Sequence, residues 1–146
     1  MKKRVCFALI LILLLGSLTA CNFTQNMAGV MAGEAECTPK VEEMVALLAD
    51  NRVADAKALM HPQASGATDA AISQMSGYLA GRKASAMEVV SLNINTSTGT
   101  SGQTRQEQVG YKVNLNDGTV IYMNVVYLSN NAGQGFVSFQ LVLGVV

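Results

Sequence analysis

The sequence is poor in charge and has no surplus of basic residues. Lysine and arginine together number 10, aspartate and glutamate also number 10, and charged residues make up 14% of the 146 positions. After the first four residues the basic side chains are scattered, and they form no basic stripe with interleaved aromatic residues. Because basic contacts to phosphates dominate nucleic-acid affinity, this pattern predicts a protein that does not bind nucleic acid.

Residues that hold metals or act as nucleophiles are also few. The chain has one histidine, His61, and three cysteines, Cys6, Cys21 and Cys37. Zinc sites need three or four protein ligands, so no metal site is predicted. No motif connects Cys37 with His61, and a catalytic thiol needs a neighbouring base. The sequence therefore predicts neither a metal nor another cofactor.

A long apolar run occurs at the start of the chain, and it is too short to favour a transmembrane helix. The run "VCFALILILLLG" at residues 5–16 follows the basic start "MKKR", and small residues follow it. The whole apolar stretch reaches about 14 residues, whereas a membrane-spanning helix needs about 20. A basic start, an apolar centre and a small-residue end are typical of a secretory signal peptide, here residues 1–20.

The four residues "LTAC" at positions 18–21 end this leader. They resemble the bacterial lipobox, in which a large aliphatic residue and two small residues precede an invariant, diacylated cysteine. The resemblance implies cleavage before Cys21, lipid on its thiol (palmitate being the typical acyl chain), and attachment to the cell envelope outside the cytoplasm. Such proteins often carry Asp directly after the cysteine when they are retained in the inner membrane. Here that position is Asn22, and the absence of Asp favours the outer membrane in a host that has one. Two or three acyl chains suffice to anchor a protein stably.

Removal of the leader changes the charge and the cysteine count. The remaining chain has 7 basic and 10 acidic residues, hence a net charge of about −3. Cys6 leaves with the leader and Cys21 carries lipid, so Cys37 has no partner for an intrachain disulfide. We expect Cys37 to be a solvent-facing or partly buried residue just before the first helix.

The mature chain divides into a tether and one domain. Residues 21–37 are small and polar, contain glycine, and show neither helical nor strand periodicity. This composition predicts a flexible tether. Residues 38–146 form a segment of ordinary domain size.

Three helices are predicted at the start of the domain. The first has Thr38 as its N-cap and Pro39 at its first helical position. The second is capped by Asp50 or Asn51, and the third begins near Thr68 and ends at Gly81. The apolar residues that recur at helical spacing are Val41, Met44, Val45 and Leu48 in the first helix, Val53, Ala56, Leu59 and Met60 in the second, and Ile72, Met75, Tyr78 and Leu79 in the third.

Beyond Arg82 the apolar period changes from 3.6 to 2, which predicts four strands. Asp117 and Gly118 lie between two alternating runs and predict a tight hairpin turn. The inward residues predicted for the first and last strands are Val90, Leu92 and Ile94, and Val137, Phe139, Leu141 and Leu143. Helices followed by a meander of strands predict an α+β domain with helices on one face of a curved antiparallel sheet.

The segment "VEEMVALLADNRVADAKALMHPQA", followed by a helix and a four-strand meander, resembles the nuclear transport factor 2-like (cystatin-like) superfamily. It is more narrowly similar to small bacterial lipoproteins of that superfamily that are classed as domains of unknown function. The resemblance implies a cone whose sheet curls around the helices, often with an apolar pocket.

Two classes of function follow from such a cone, and a third concerns assembly. The first is a non-catalytic module that binds a small apolar ligand or a partner protein at the envelope, with tyrosines lining the pocket because they join an apolar ring to a hydroxyl. The alternative is an isomerase- or dehydratase-like enzyme that uses an acidic residue or histidine in the cone. The third is a homodimer through the outer sheet face. The candidate pocket residues are Tyr78, Tyr111, Tyr122 and Tyr127, and the candidate ionisable groups are His61, Asp69, Glu88 and Glu107.

Overall fold

The computed structural model describes residues 35–143. The predicted leader at residues 1–20, the predicted lipidation site Cys21 and nearly all of the predicted tether lie outside the described residues, as do residues 144–146. Ala35 and Cys37 are already buried in the core. The core therefore includes residues that precede the predicted start of the domain at residue 38.

Residues 35–143 form three helices followed by one antiparallel sheet of four strands, which confirms the α+β class and the meander. The sheet order is β1-β2-β3-β4, so each strand pairs with its neighbour in sequence. The bounds are α1 Thr38–Ala49, α2 Val53–Ala58, α3 Asp69–Leu79, β1 Ala84–Gly99, β2 Gly102–Leu115, β3 Val120–Asn130 and β4 Gly133–Leu143. Gly118, with φ of 85°, lies in the predicted turn between β2 and β3.

The beginning of α1 differs from the prediction. Cys37 is the N-cap, and the Thr38 hydroxyl lies 3.0 Å from the Tyr111 hydroxyl instead of capping the helix. Tyr111, a buried residue of β2, lies next to this end of the helix and binds the hydroxyl that a threonine cap would use. Thr38 therefore connects α1 to β2.

The α1–α2 junction also differs from the prediction, since Arg52 and not Asp50 or Asn51 is the N-cap of α2. Asn51 has φ of 59° and donates its N–H to Leu48 O, while the Arg52 N–H binds Leu47 O. This pair of bonds is a Schellman motif, in which a left-handed residue satisfies the last carbonyls of a helix. Asn51 thus ends α1 and does not begin α2.

The predicted start of α3 is confirmed, because the Thr68 hydroxyl accepts the Ala71 N–H at 3.2 Å. Its end comes slightly earlier than predicted. Ala80 adopts a left-handed conformation with φ of 35°, and Gly81 follows with φ of 81°.

A bulge in β1 makes the predicted burial of Val90 wrong. The β1–β2 register shifts between Val89 and Ser91, which leaves Val90 without a partner. An unpaired extra residue reverses the alternation of side chains beyond it. Val90 is consequently 45% exposed, while Val89 and Leu92 pack against the core. Ile94 is also exposed, at 41%, although it stands opposite the buried Glu107.

A second bulge, in β4, corrects the predicted core face of that strand. Tyr127 pairs with Phe136, and Val126 pairs with Ser138, so Val137 is the extra residue. Phe136 is therefore fully buried, whereas Val137 is half-buried. Phe139 and Leu141 are buried as predicted, and the Leu143 side chain lies outside the described part of the chain.

The helices and the inner face of the sheet enclose a filled core. Its largest fully buried side chains include Tyr111, Phe136, Phe139, Met44 and Met123. Phe136 makes edge-to-face contacts with Tyr127 and Phe139, at centroid distances of 5.2 and 5.6 Å. Large side chains thus fill the interior between the helices and the sheet. Within residues 35–143 no helix combines the length and apolarity that crossing a membrane requires.

Candidate functional site

The four candidate tyrosines lie in different environments. Tyr111 on β2 is fully buried, and Tyr127 on β3 is half-buried against Phe136. Tyr122 is 41% exposed on the outer face of the sheet, away from the helices. Tyr78 on α3 is half-buried under the Arg82 guanidinium, which lies 4.6 Å from the ring centroid. The structure brings Tyr111 and Tyr127 to the inner face and separates them from Tyr122.

Glu107 is the candidate acid that lies beside a tyrosine in the interior. Its carboxylate is buried, with Oε2 accepting the Cys37 N–H at 3.1 Å. Its Oε1 accepts from the Arg105 guanidinium at 2.9 Å. A carboxylate can be buried when it is paired and hydrogen-bonded, and here both oxygens have partners. Glu107 therefore fixes the beginning of α1 to β2.

Cys37 is fully buried beside Glu107, so the expectation of a solvent-facing or partly buried thiol is wrong. The reason is that the chain packs into the core from Ala35 onward, before the helix begins. The thiol sulfur lies 3.7 Å from the Tyr111 hydroxyl oxygen. Burial raises the pKa of the Cys37 thiol to about 12 and also raises the pKa of Tyr111. A thiol in this state is a poor nucleophile, because thiolate is the reactive form.

We expect Cys37 to resist alkylation in the folded protein. Relative to a thiol with the ordinary pKa of 9.0, a pKa of about 12 lowers the thiolate fraction at pH 8 by about a thousandfold. Iodoacetamide labelling at pH 8, read by peptide mass spectrometry with and without urea, measures this difference. Because the pKa is higher in the folded state, the thiol's contribution to stability is complete below pH 9 and is lost as pH rises toward 12. Rapid labelling without urea would contradict the buried position.

His61 is also buried, and both of its ring nitrogens have partners. Nδ1 accepts the Gln63 N–H at 3.1 Å. Nε2 lies 3.2 Å from both Asn130 Oδ1 and Gly133 O, so it carries the proton and donates it to these acceptors. A histidine whose acceptor nitrogen already binds a backbone N–H has no lone pair left for a substrate proton. His61 thus holds the β3–β4 turn against the segment after α2.

Asp69 and Glu88, the other candidate acids, lie on the surface. Asp69 pairs with Lys57 at 2.6 Å, and Glu88 stands opposite Lys112 in the β1–β2 register. Neither meets Glu107 or His61, so the candidate ionisable groups do not converge on one site. In the described part of the chain no cluster of His, Cys, Asp or Glu could hold a metal ion.

A surface groove lies between α1 and the beginning of β1. Its volume is about 340 Å³, and none of the candidate tyrosines lines it. Ala46, Ala84 and Ala86 are exposed in its walls, and Met87 is half-buried. We call it the α1–β1 groove; its lining residues are Glu42, Val45, Ala46, Lys83, Ala84, Ser85, Ala86 and Met87.

Sequence reasoning missed this groove, because its residues also fit other roles. Val45 belongs to the apolar stripe of α1, which predicts a core position. The run "ASAM" at residues 84–87 shows no clear alternation. Its alanines are the one feature of the sequence that could have indicated a groove. Small side chains on a strand next to a helix leave space between the two elements.

Comparison of the chain with models of known protein families, with curated proteins and with solved structures finds no significant match.

Proposed function

We propose that this protein is a membrane-anchored lipoprotein, attached outside the cytoplasm through Cys21, whose nuclear transport factor 2-like domain binds a partner protein without catalysis. The observation that supports binding is the α1–β1 groove, an open and largely apolar surface next to a strand. The anchor rests on the "LTAC" sequence and on the leader before it. The cone assignment rests on the order of three helices and a four-strand meander in residues 35–143.

The state of the interior supports a binding role over an isomerase or dehydratase. A general base needs a free lone pair within reach of a substrate proton. The acceptor nitrogen of His61 already binds the Gln63 N–H, and the Glu107 carboxylate is buried out of a substrate's reach with an N–H bound to each oxygen. Aromatic side chains and methionines are among the largest buried side chains of the core.

The shape and charge of the α1–β1 groove favour a protein segment over an enclosed small molecule. Its volume of about 340 Å³ is at the small end for ligand sites, and its walls are open to solvent. Glu42 and Lys83 add one charge of each sign to the apolar walls, and Lys83 is held by Asp50 at 3.2 Å. An apolar side chain flanked by polar groups on a partner would match this pattern.

Site-specific photo-crosslinking in cells tests the proposal. A benzophenone amino acid placed at Ala84 or Ala86 should give one discrete adduct, since both side chains line the groove. The same probe at Ala132, which is exposed in the β3–β4 turn, serves as the matched control.

The adduct should disappear when Met87→Asp is combined with the probe at Ala84, because a carboxylate would be buried against the apolar partner. Equal adducts at Ala84 and Ala132, or an adduct that persists in Met87→Asp, would count against the groove as a binding site.

A further inference from the structure

The β1 strand lies at one edge of the sheet, and residues 91–99 leave their outer side uncovered. This stretch pairs with β2 without a register shift, from Ser91 opposite Gly110 to Gly99 opposite Gly102. All of its residues except Leu92 are exposed. Among residues 35–143 no main-chain hydrogen bond outside the sheet reaches it. We call the outward side of residues 91–99 the free edge.

The first half of β1 and the Phe136 region of β4 carry features that hinder pairing with another chain. Register shifts near Ser85 and at Val90 make the first half of β1 irregular, and α1 lies beside it at the groove. On β4, Phe136 exchanges main-chain hydrogen bonds with Leu59 and His61. Bulges and covering segments are the usual means of protecting a sheet edge.

The free edge has none of these protective features. Its sequence "SLNINTSTG" contains no charge and no proline, and glycine occurs only at its end. A regular, exposed and uncharged strand presents unpaired N–H and C=O groups to a further strand. Such a stretch is well suited to strand addition.

We propose that the free edge pairs in antiparallel orientation with the free edge of a second copy of this chain, which joins the two sheets into one. Charge favours this occupant. A two-fold axis brings the residues next to it close to their own copies, so a charge in the middle of the stretch would meet a like charge, and the stretch has none. The pairing uses both β1 edges, so it closes at a dimer.

The middle of the stretch fixes the expected register. With the two-fold axis at Asn95, Ile94 of one copy faces Thr96 of the other, and Asn93 faces Ser97. Pairs of β-branched residues stabilise antiparallel strands. The bulge at Val90 limits the pairing at one end and the β1–β2 turn limits it at the other. The free edge is separate from the α1–β1 groove, so this dimer is independent of the proposed partner.

Cysteine cross-linking of the full-length protein in its own membrane tests the pairing. Asn95→Cys places one thiol opposite its copy, so oxidation should produce a disulfide-linked dimer. Asn93→Cys should produce less of this dimer, because Asn93 faces Ser97 and not its own copy. Gln140→Cys, which replaces a half-exposed amide on the opposite edge strand β4, is the matched control and should remain monomeric.

A charge variant keeps the test independent of cross-linking. Asn95→Lys places two like charges opposite each other and should convert the dimer to monomer in sedimentation of the detergent-solubilised protein, with an unchanged unfolding midpoint. Wild-type protein that sediments as a monomer, cross-linking at Gln140→Cys equal to that at Asn95→Cys, or a dimer that survives Asn95→Lys would each overturn the proposal.

Discussion

Replacement of Glu107 by alanine should lower the free energy of unfolding by about 3 kcal/mol, as expected when one partner of a buried ionic pair is removed. The carboxylate is 2% exposed and accepts hydrogen bonds from the Cys37 backbone and from Arg105. Without it, the buried Cys37 N–H has no acceptor and the partly buried Arg105 guanidinium loses its nearer carboxylate. Urea denaturation of wild type and variant, read by circular dichroism, measures the difference.

Two control variants separate this effect from a general loss of charge. Glu107→Gln keeps an oxygen acceptor in place and should cost less than Glu107→Ala. Glu88→Gln removes a charge from the exposed outer face of β1 and should change stability by less than about 0.5 kcal/mol. If Glu107→Ala were as stable as wild type, the carboxylate would not be structural, and the enzyme alternative would gain support.

Replacement of Gly135 by alanine should also destabilise the protein, by about 2–4 kcal/mol, because the new methyl group has no room. A Cβ atom at this position would lie 2.5 Å from His61 N and 2.8 Å from Leu59 O. Both are backbone atoms, so they cannot rotate away as a side chain could. The same backbone binds Phe136, which makes Gly135 the point where β4 meets the segment after α2.

Gly77→Ala is the matched control for this prediction. Gly77 lies within α3 and is exposed, and a Cβ atom added there would have nothing within 4 Å. Alanine should raise the free energy of unfolding there by about 0.5–1 kcal/mol, since glycine is unfavourable inside a helix. A Gly135→Ala variant with wild-type stability in the same urea titration would show that β4 does not approach residues 59–61 as described.

Periodicity was enough to predict the class of fold and the order of its elements. Helical spacing marked α1 and α3, and the Asp117–Gly118 turn marked the junction of β2 and β3. The two bulges could not be predicted, because an extra residue such as Val90 or Val137 is apolar like its neighbours. Apolar residues on both sides of a bulge fit either register, and the packing against the helices decides between them.

The polar interior was less predictable than the fold. Glu107 follows Arg105 on one strand, and alternation alone suggests that both lie on the same face. Their burial depends on contact with Cys37, which comes 70 positions earlier in the chain than Glu107. Residues before the first helix have the composition of a tether, yet Ala35 and Cys37 pack into the core. Contacts of this range are set by the tertiary fold and leave no periodic signal.

The position of Glu107 also bears on how the anchor and the domain are connected. If lipid holds the protein at Cys21, the chain from the membrane enters the domain at Ala35 and Cys37, where Glu107 and Arg105 bind it. Arg105 lies 3.5 Å from Glu36 as well, so one guanidinium contacts a carboxylate of this entering segment and a carboxylate of β2. These contacts hold residues 36 and 37 against β2.

The intact mass of the full-length protein purified from membranes tests the central proposal most directly. A protein anchored at Cys21 should begin at that residue and carry the added mass of two or three acyl chains. The Cys21→Ser variant should lack this lipid mass and should no longer remain with the membrane through an acyl anchor. A wild-type mass that begins at Met1 without acyl chains would contradict the account.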